Sequence, residues 1–188
     1  MSKIIIGLVG SLASGKETTK KYLVEKYSAQ DCRFSSILRD VLNRLALPVS
    51  RENLQNLSTV LRANFGEDLL ASAIASDASN LDADVVVIDG VRRFTDIEHL
   101  QVLPNFILVK IDADPKIRYE RMKLRNENVG DKEKTLEEFI EDGNAEADRQ
   151  IPEVMKIAKY AIDNSGTLPE LYAQIEKIIE ECLNKKTA

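Results

Sequence analysis

Ten consecutive residues, Gly10-Ser11-Leu12-Ala13-Ser14-Gly15-Lys16-Glu17-Thr18-Thr19, directly follow the apolar run Ile4-Ile5-Ile6-Gly7-Leu8-Val9. Ile4, Ile5, Ile6 and Val9 give that run the β-branched content of a buried strand. Lys16–Tyr27 then reads as a helix. A loop spaced Gly, four residues, Gly, Lys between a strand and a helix is built to wrap a polyphosphate. Glycine lets the backbone turn sharply and approach the phosphates with no Cβ in the way. Successive N–H groups and the positive end of the helix supply a field for the anion. Lys16 adds a mobile charge for the outer phosphates. The expected phosphate contacts are therefore Gly10, Ser11, Ala13, Ser14, Gly15, Lys16, Glu17 and Thr18. Gly7 and Gly10 do not continue into Gly-x-Gly-x-x-Gly, which sets a dinucleotide loop aside.

At 188 residues the chain fits one domain, able to bury about two-thirds of its unfolded surface. A net charge of −5 argues against nucleic acid as the main partner. Basic residues gathered in one cleft would still suit a small anion. Cys32 and Cys182 lie far apart and lack metal-ligand spacing, as expected in a reducing compartment. His99 is the single histidine, so a His-based triad or a multi-histidine zinc site is excluded, and it reads as a surface or satisfied residue. No stretch approaches the roughly 20 apolar residues of a membrane span. The N-terminus does not read as a signal peptide. The expectation is a cytoplasmic protein with no membrane partner; monomer and homodimer are not distinguished.

Strands are predicted over Ile4–Val9, 32–34, 85–88, 106–111 and 160–162. Helical patterns cover Lys16–Tyr27, 37–45, 52–64, 68–76, 95–100, Pro115–Arg125, 135–147 and 169–183. Continuous apolar strands alternating with helices predict an α/β fold, a parallel five-stranded sheet covered on both faces. Pro152 fits the first turn of one more short helix. Residues 36–80 place three helices in a row and read as an insert over the sheet edge. Residues 126–150 are acidic and polar with little to bury, and they read as a lid. Leu168, Leu171, Ile175, Ile178, Ile179, Cys182 and Leu183 form one stripe, expected to pack on the sheet.

Val85-Val86-Val87-Ile88 ends in Asp89-Gly90-Val91-Arg92-Arg93. That order puts Asp89 at the carboxyl end of a buried strand, the edge where open α/β sheets bind ligands. A carboxylate there suits Mg²⁺ held through water, or acceptance of a proton from an attacking oxygen. Gly90 leaves space beside it, and Arg92 or Arg93 is placed to clamp a phosphate. After the next strand, Arg118, Arg121 and Arg125 fall on one face of a helix. Fixed guanidiniums offset the charge that spreads over a phosphoryl group in transfer. Arg39 and Arg62 each bring one cation to an otherwise apolar helix of the insert.

With these segments, the whole chain resembles the adenylate-kinase-related, dephospho-CoA-kinase-like nucleotide kinases of the P-loop class. The resemblance runs through the Gly10–Lys16 loop, Arg39, Glu52-Asn53-Leu54, Leu61-Arg62, Gly66, Val87-Ile88-Asp89-Gly90-Val91-Arg92, Pro115-Lys116-Ile117-Arg118-Tyr119-Glu120-Arg121-Met122 and Lys159 to Gly166. It implies a P-loop kinase fold using ATP and Mg²⁺, with Lys16, Asp89, Arg118 and Arg121 as catalytic groups. Arg39, Arg62, Gly90 and Arg92 would hold the acceptor, Thr18 and Asp89 would serve the metal, and Asn164 and Gly166 would lie near the adenine. Glu17 departs from the Ser or Thr that normally follows the loop lysine; adenylate-kinase-like enzymes often carry Thr one residue later, as Thr18 does here. The reaction expected is phosphoryl transfer from ATP to a (deoxy)nucleoside monophosphate, with dephospho-CoA as the alternative acceptor. A nucleotide-controlled regulatory ATPase and a scaffold with a vestigial loop are the other readings.

Overall fold

In this computed structural model, residues 3–125, 132–143 and 148–184 are described. The strands are β1 (Ile4–Val9), β2 (Gln30–Arg33), β3 (Val85–Asp89), β4 (Phe106–Asp112) and β5 (Tyr160–Asp163). All pair in parallel in the order β2-β3-β1-β4-β5, so the five-stranded parallel α/β sheet is present. Successive side chains of a strand point to opposite faces. Ile4, Ile6 and Leu8 therefore share one face with Val85, Val87, Val109 and Ile162, packed under α1 (Lys16–Tyr27) and α8 (Leu168–Asn184). Ile5, Val9, Val86, Ile88 and Leu108 face the other way. They meet α2 (Phe34–Arg44), α4 (Leu69–Asn80) and α7 (Ile151–Lys156). Two covered faces explain why the strands read as unbroken apolar runs.

Several sequence expectations change. Residues 36–80 are only partly an insert: α4 buries Leu70, Ala71, Ile74, Ala75 and Ala78 in the core. Of the three helices in that segment, α3 (Arg51–Phe65) alone has no fully buried residue. It is started by Ser50, whose hydroxyl accepts from the Asn53 N–H at 3.1 Å. The helix predicted at 95–100 is a single 3₁₀ turn, Phe94–Asp96, followed by irregular turns. The helix predicted at 135–147 is α6 (Leu136–Asp142), opened by a capping box between Thr135 and Glu138. Residues 126–131 and 144–147 of the predicted lid lie outside the described residues. The lid segment also buries more than its composition implies, because Phe139 is 3% exposed against Met122 of α5 (Pro115–Arg125) and Ala13. In α8, Leu171, Ile175, Ile178, Ile179 and Cys182 form the buried stripe, while Leu168 and Leu183 face solvent. Among the described residues no helix is long and apolar enough to cross a membrane.

The chain passes from one side of β1 to the other between β3 and β4, so the carboxyl ends of these strands border the crevice where such sheets bind ligands. Asp96 shapes that border. One of its oxygens accepts from the Arg92 and Arg93 N–H groups, each at 2.9 Å. The other is 3.0 Å from Arg62 Nη2, with both side chains largely removed from water. Removing one member of such a pair strands the other charge. Asp96→Ala is thus expected to lower stability by about 3–5 kcal/mol in urea unfolding; a loss below about 1 kcal/mol would rank the pair with solvated surface bridges.

Candidate functional site

The loop between β1 and α1 is fixed from two sides. A Cβ on Gly10 would collide with the Ile111 carbonyl oxygen and the Ser14 hydroxyl, so β4 presses directly on its backbone. Gly15 has φ +109, and a Cβ there would strike the Asn164 carboxamide. That amide donates to the Ser14 carbonyl at 2.8 Å, and the Asn164 N–H donates to the Asp112 carbonyl at 2.7 Å. Ala13 adopts φ 60, a left-handed conformation that L residues rarely take. Its methyl packs with Met122 and Phe139.

Lys16 curls over the loop, donating to the carbonyls of Gly10 at 2.6 Å and Ser11 at 3.0 Å. Loss of water pulls its ammonium from the usual lysine value down to about 8; Asp89 and Asp148 oppose the change, and Arg92 and Arg125 add to it. Residues from the loop, the β3 edge, the end of α5 and the segment before α7 thus converge electrostatically on one point. Arg118 donates to Ala113 O at 3.0 Å and to Leu12 O at 3.3 Å, with its guanidinium 5.5 Å from the Phe139 ring centre. Arg121, one turn on, carries an Nη1 that is shielded from solvent and has no hydrogen-bond partner. A buried, unpartnered guanidinium nitrogen is suited to an anion.

Other assigned residues are bonded within the protein or stand at its surface. Arg92 is exposed and paired with Asp148 at 3.0 Å. Arg93 lies 3.4 Å from Glu67. Arg62 is committed to Asp96 and to the Glu67 carbonyl, so in this arrangement it braces the loop after β3 rather than facing an acceptor. Arg39 is exposed on α2, and Gly90, with φ +96, follows Asp89. Asn164 is buried on the loop backbone, a supporting role rather than one facing a base, and Gly166 is exposed before α8. His99 pairs with Asp68 at 2.8 Å, away from the loop.

Of the residues assigned to Mg²⁺, Thr18 stands in the first turn of α1 and Asp89 ends β3. Asp89 Oδ2 is already 3.5 Å from Lys20 Nζ and 3.7 Å from Arg33 Nε. Among the described residues, no three acidic, histidine or cysteine side chains are grouped to hold a metal ion. Lys20, Asp31, Arg33 and Asp148 are absent from the sequence-derived site. One had a readable signal, since Lys20 stands one helical turn beyond Lys16; Arg33 is joined to Asp89 only by the register of β2 and β3.

Comparison with known proteins agrees with this fold. A solved shikimate kinase from Bacteroides thetaiotaomicron superposes with a TM-score of 0.60 at 13% identity, covering 94% of this chain and 97% of that one. A gluconokinase from Sinorhizobium meliloti does so with a TM-score of 0.54 at 15% identity, covering 97% of each chain. At that identity they establish the fold alone. The UPF0200 protein of Pyrococcus abyssi is 31% identical over 185 residues, 96% of this chain and 97% of the relative. That of Thermococcus kodakarensis is 29% identical over 187 residues, covering 97% of this chain and all of the relative. Residues 9–141 match the AAA_17 family, described as an AAA domain, and the chain belongs to that family and, by its full-length kinship, to the UPF0200 proteins.

Proposed function

We propose that the chain is an ATP-dependent kinase that phosphorylates a small, already phosphorylated acceptor, a (deoxy)nucleoside monophosphate in the first instance. The observation that carries this reading is the seating of two cations on one loop, with a third buried one helical turn further along α5. Lys16 lies across that loop, Arg118 grips its Leu12 carbonyl, and Arg121 presents a buried nitrogen without a partner. A loop that only bound nucleotide would need the first, whereas moving a phosphoryl group needs cations on the side where charge spreads. The kinase neighbours support the same class through their fold.

In the reaction, an acceptor oxygen forms a bond to the γ-phosphorus of ATP as the bond to the β–γ bridging oxygen breaks, leaving ADP. Lys16 exchanges its two carbonyl partners for phosphate oxygens. Arg118 and Arg121 donate to the equatorial oxygens, and their guanidiniums stay charged throughout. Arg92 exchanges Asp148 for the acceptor's phosphate, and Arg39 of α2 joins it there. Dephospho-CoA is the alternative acceptor. The second reading, a nucleotide-controlled regulatory ATPase, is favoured by one residue: Glu17 stands where a phosphate-binding loop normally carries a hydroxyl.

ADP release from Mg·ATP is the deciding assay, run against each ribo- and deoxynucleoside monophosphate, dephospho-CoA and no acceptor. Release that rises with one acceptor, and falls by about 10²–10³ in Arg118→Ala or Lys16→Ala, is the result expected. Equal, slow release in every lane would transfer the assignment to the regulatory ATPase. A separate calorimetric outcome follows from Lys16. Its ammonium is depressed to about 8 in the free protein, and a bound polyphosphate restores the charge, so binding takes up protons above that pH. At pH 8.5 the uptake should approach about three-quarters of a proton relative to Lys16→Met, and at pH 6.5 the difference should vanish.

A further inference from the structure

One lysine the reaction above does not use is buried beside the site. Lys20 of α1 is 3% exposed. Its Nζ lies 2.6 Å from Glu17 Oε2, 3.3 Å from Asp31 Oδ2 and 3.5 Å from Asp89 Oδ2. Arg33 closes the group from the rim, 2.9 Å from Asp31, 3.2 Å from Glu17 and 3.7 Å from Asp89. The pleat brings these residues together. Cys32 points into the opposite core, so its neighbours Asp31 and Arg33 turn toward α1, and register sets Arg33 beside Asp89. Three carboxylates thus face two cations. The crowding is felt at Asp31, whose carboxyl is pushed up to about 6 by burial, with Asp89 and Glu17 adding to the effect.

Phosphate-binding loops of this kind usually bring a metal to the site with a hydroxyl after the loop lysine and an aspartate at the neighbouring strand end. Here the first position is Glu17 and the second is Asp89, and both carboxylates lie at ion-pair distance from the same lysine. A bare carboxylate at position 17 would repel incoming phosphates; a tethered ammonium offsets that charge while adding only one unit of its own. A lysine also brings no open coordination site, so it orients the carboxylates without inviting a ligand.

We propose that Lys20 is a resident cation of the transfer site, a positioning residue whose ammonium fills the space between Glu17, Asp31 and Asp89 that a protein-held divalent ion would take. It rests on the phosphoryl-transfer reading and adds to it: divalent metal enters on the nucleotide's phosphates and not on protein carboxylates. Removing the ammonium should open a three-carboxylate divalent site.

Mn²⁺ titration of the nucleotide-free full chain, followed by the paramagnetic resonance signal of the free ion, tests this. The unaltered protein should show no site tighter than about 1 mM, and Lys20→Met should gain one at least about tenfold tighter, displaced by Mg²⁺. Adding Asp89→Asn to Lys20→Met should abolish the gained site, and Lys20→Arg should behave as the unaltered protein. A Lys20→Met protein that melts cooperatively yet gains no Mn²⁺ site would overturn the proposal. Should that variant not fold, the unaltered protein decides: a site tighter than about 1 mM that Asp89→Asn removes overturns it, and the absence of such a site upholds it. ADP release that no acceptor stimulates would sink the transfer reading while leaving the Mn²⁺ result standing, so the two failures are separable.

Discussion

The carboxamide of Asn164 reaches the Ser14 carbonyl across 150 positions of sequence, and the placement of every other group in the site depends on that contact and on the press of Ile111 against Gly10. Together they hold a loop of few side chains to the carboxyl ends of β4 and β5. With the loop held, α1 starts at a set angle, Lys16 lies over the loop's own carbonyls, and Lys20 comes down one turn later between β2 and β3. A loop anchored only through its flanking strand and helix would leave these positions free to drift by more than phosphate recognition tolerates.

Two groups of charge result, and Asp89 belongs to both. On the open side it steadies the desolvated Lys16, together with Asp148 and against Arg92 and Arg125. On the buried side it is drawn to Lys20 and Arg33. One carboxylate at the end of one strand thereby links the charge of the mobile-ligand side to that of the permanent framework. Arg62 and Asp96 do a comparable job one loop further on, where a buried pair sets the path of the backbone that carries Arg92 and Arg93.

The sheet was legible because burial on both faces leaves unbroken β-branched runs, and β1, α1 and α5 fall where their sequence places them. The loop was legible because its spacing is a backbone requirement written in glycine. What escaped has physical reasons. The 95–100 segment has helical composition, yet its helical turn covers only Phe94–Asp96 and gives way to irregular turns; the Asp96 carboxylate, accepting from the N–H groups of Arg92 and Arg93, fixes the start of that turn. Arg62 was assigned to an acceptor because an arginine on an apolar helix looks available; its partner lies 34 positions away, beyond the reach of any local pattern. Asp31 and Arg33 were missed for the same reason, since only strand order and register bring β2 beside β3 and so join them to Asp89. Phe139 sits in a segment whose average polarity hides a single anchoring ring.

That ring has a consequence for the grip on phosphate. Ala13 occupies a left-handed conformation that costs an alanine about 1–2 kcal/mol, and its methyl is covered by Met122 and Phe139, one from α5 and one from α6. The apolar contact offsets the backbone cost, so the seating of α6 and the shape of the loop are coupled. Lifting α6 would uncover the Ala13 methyl and leave its left-handed backbone without that compensation.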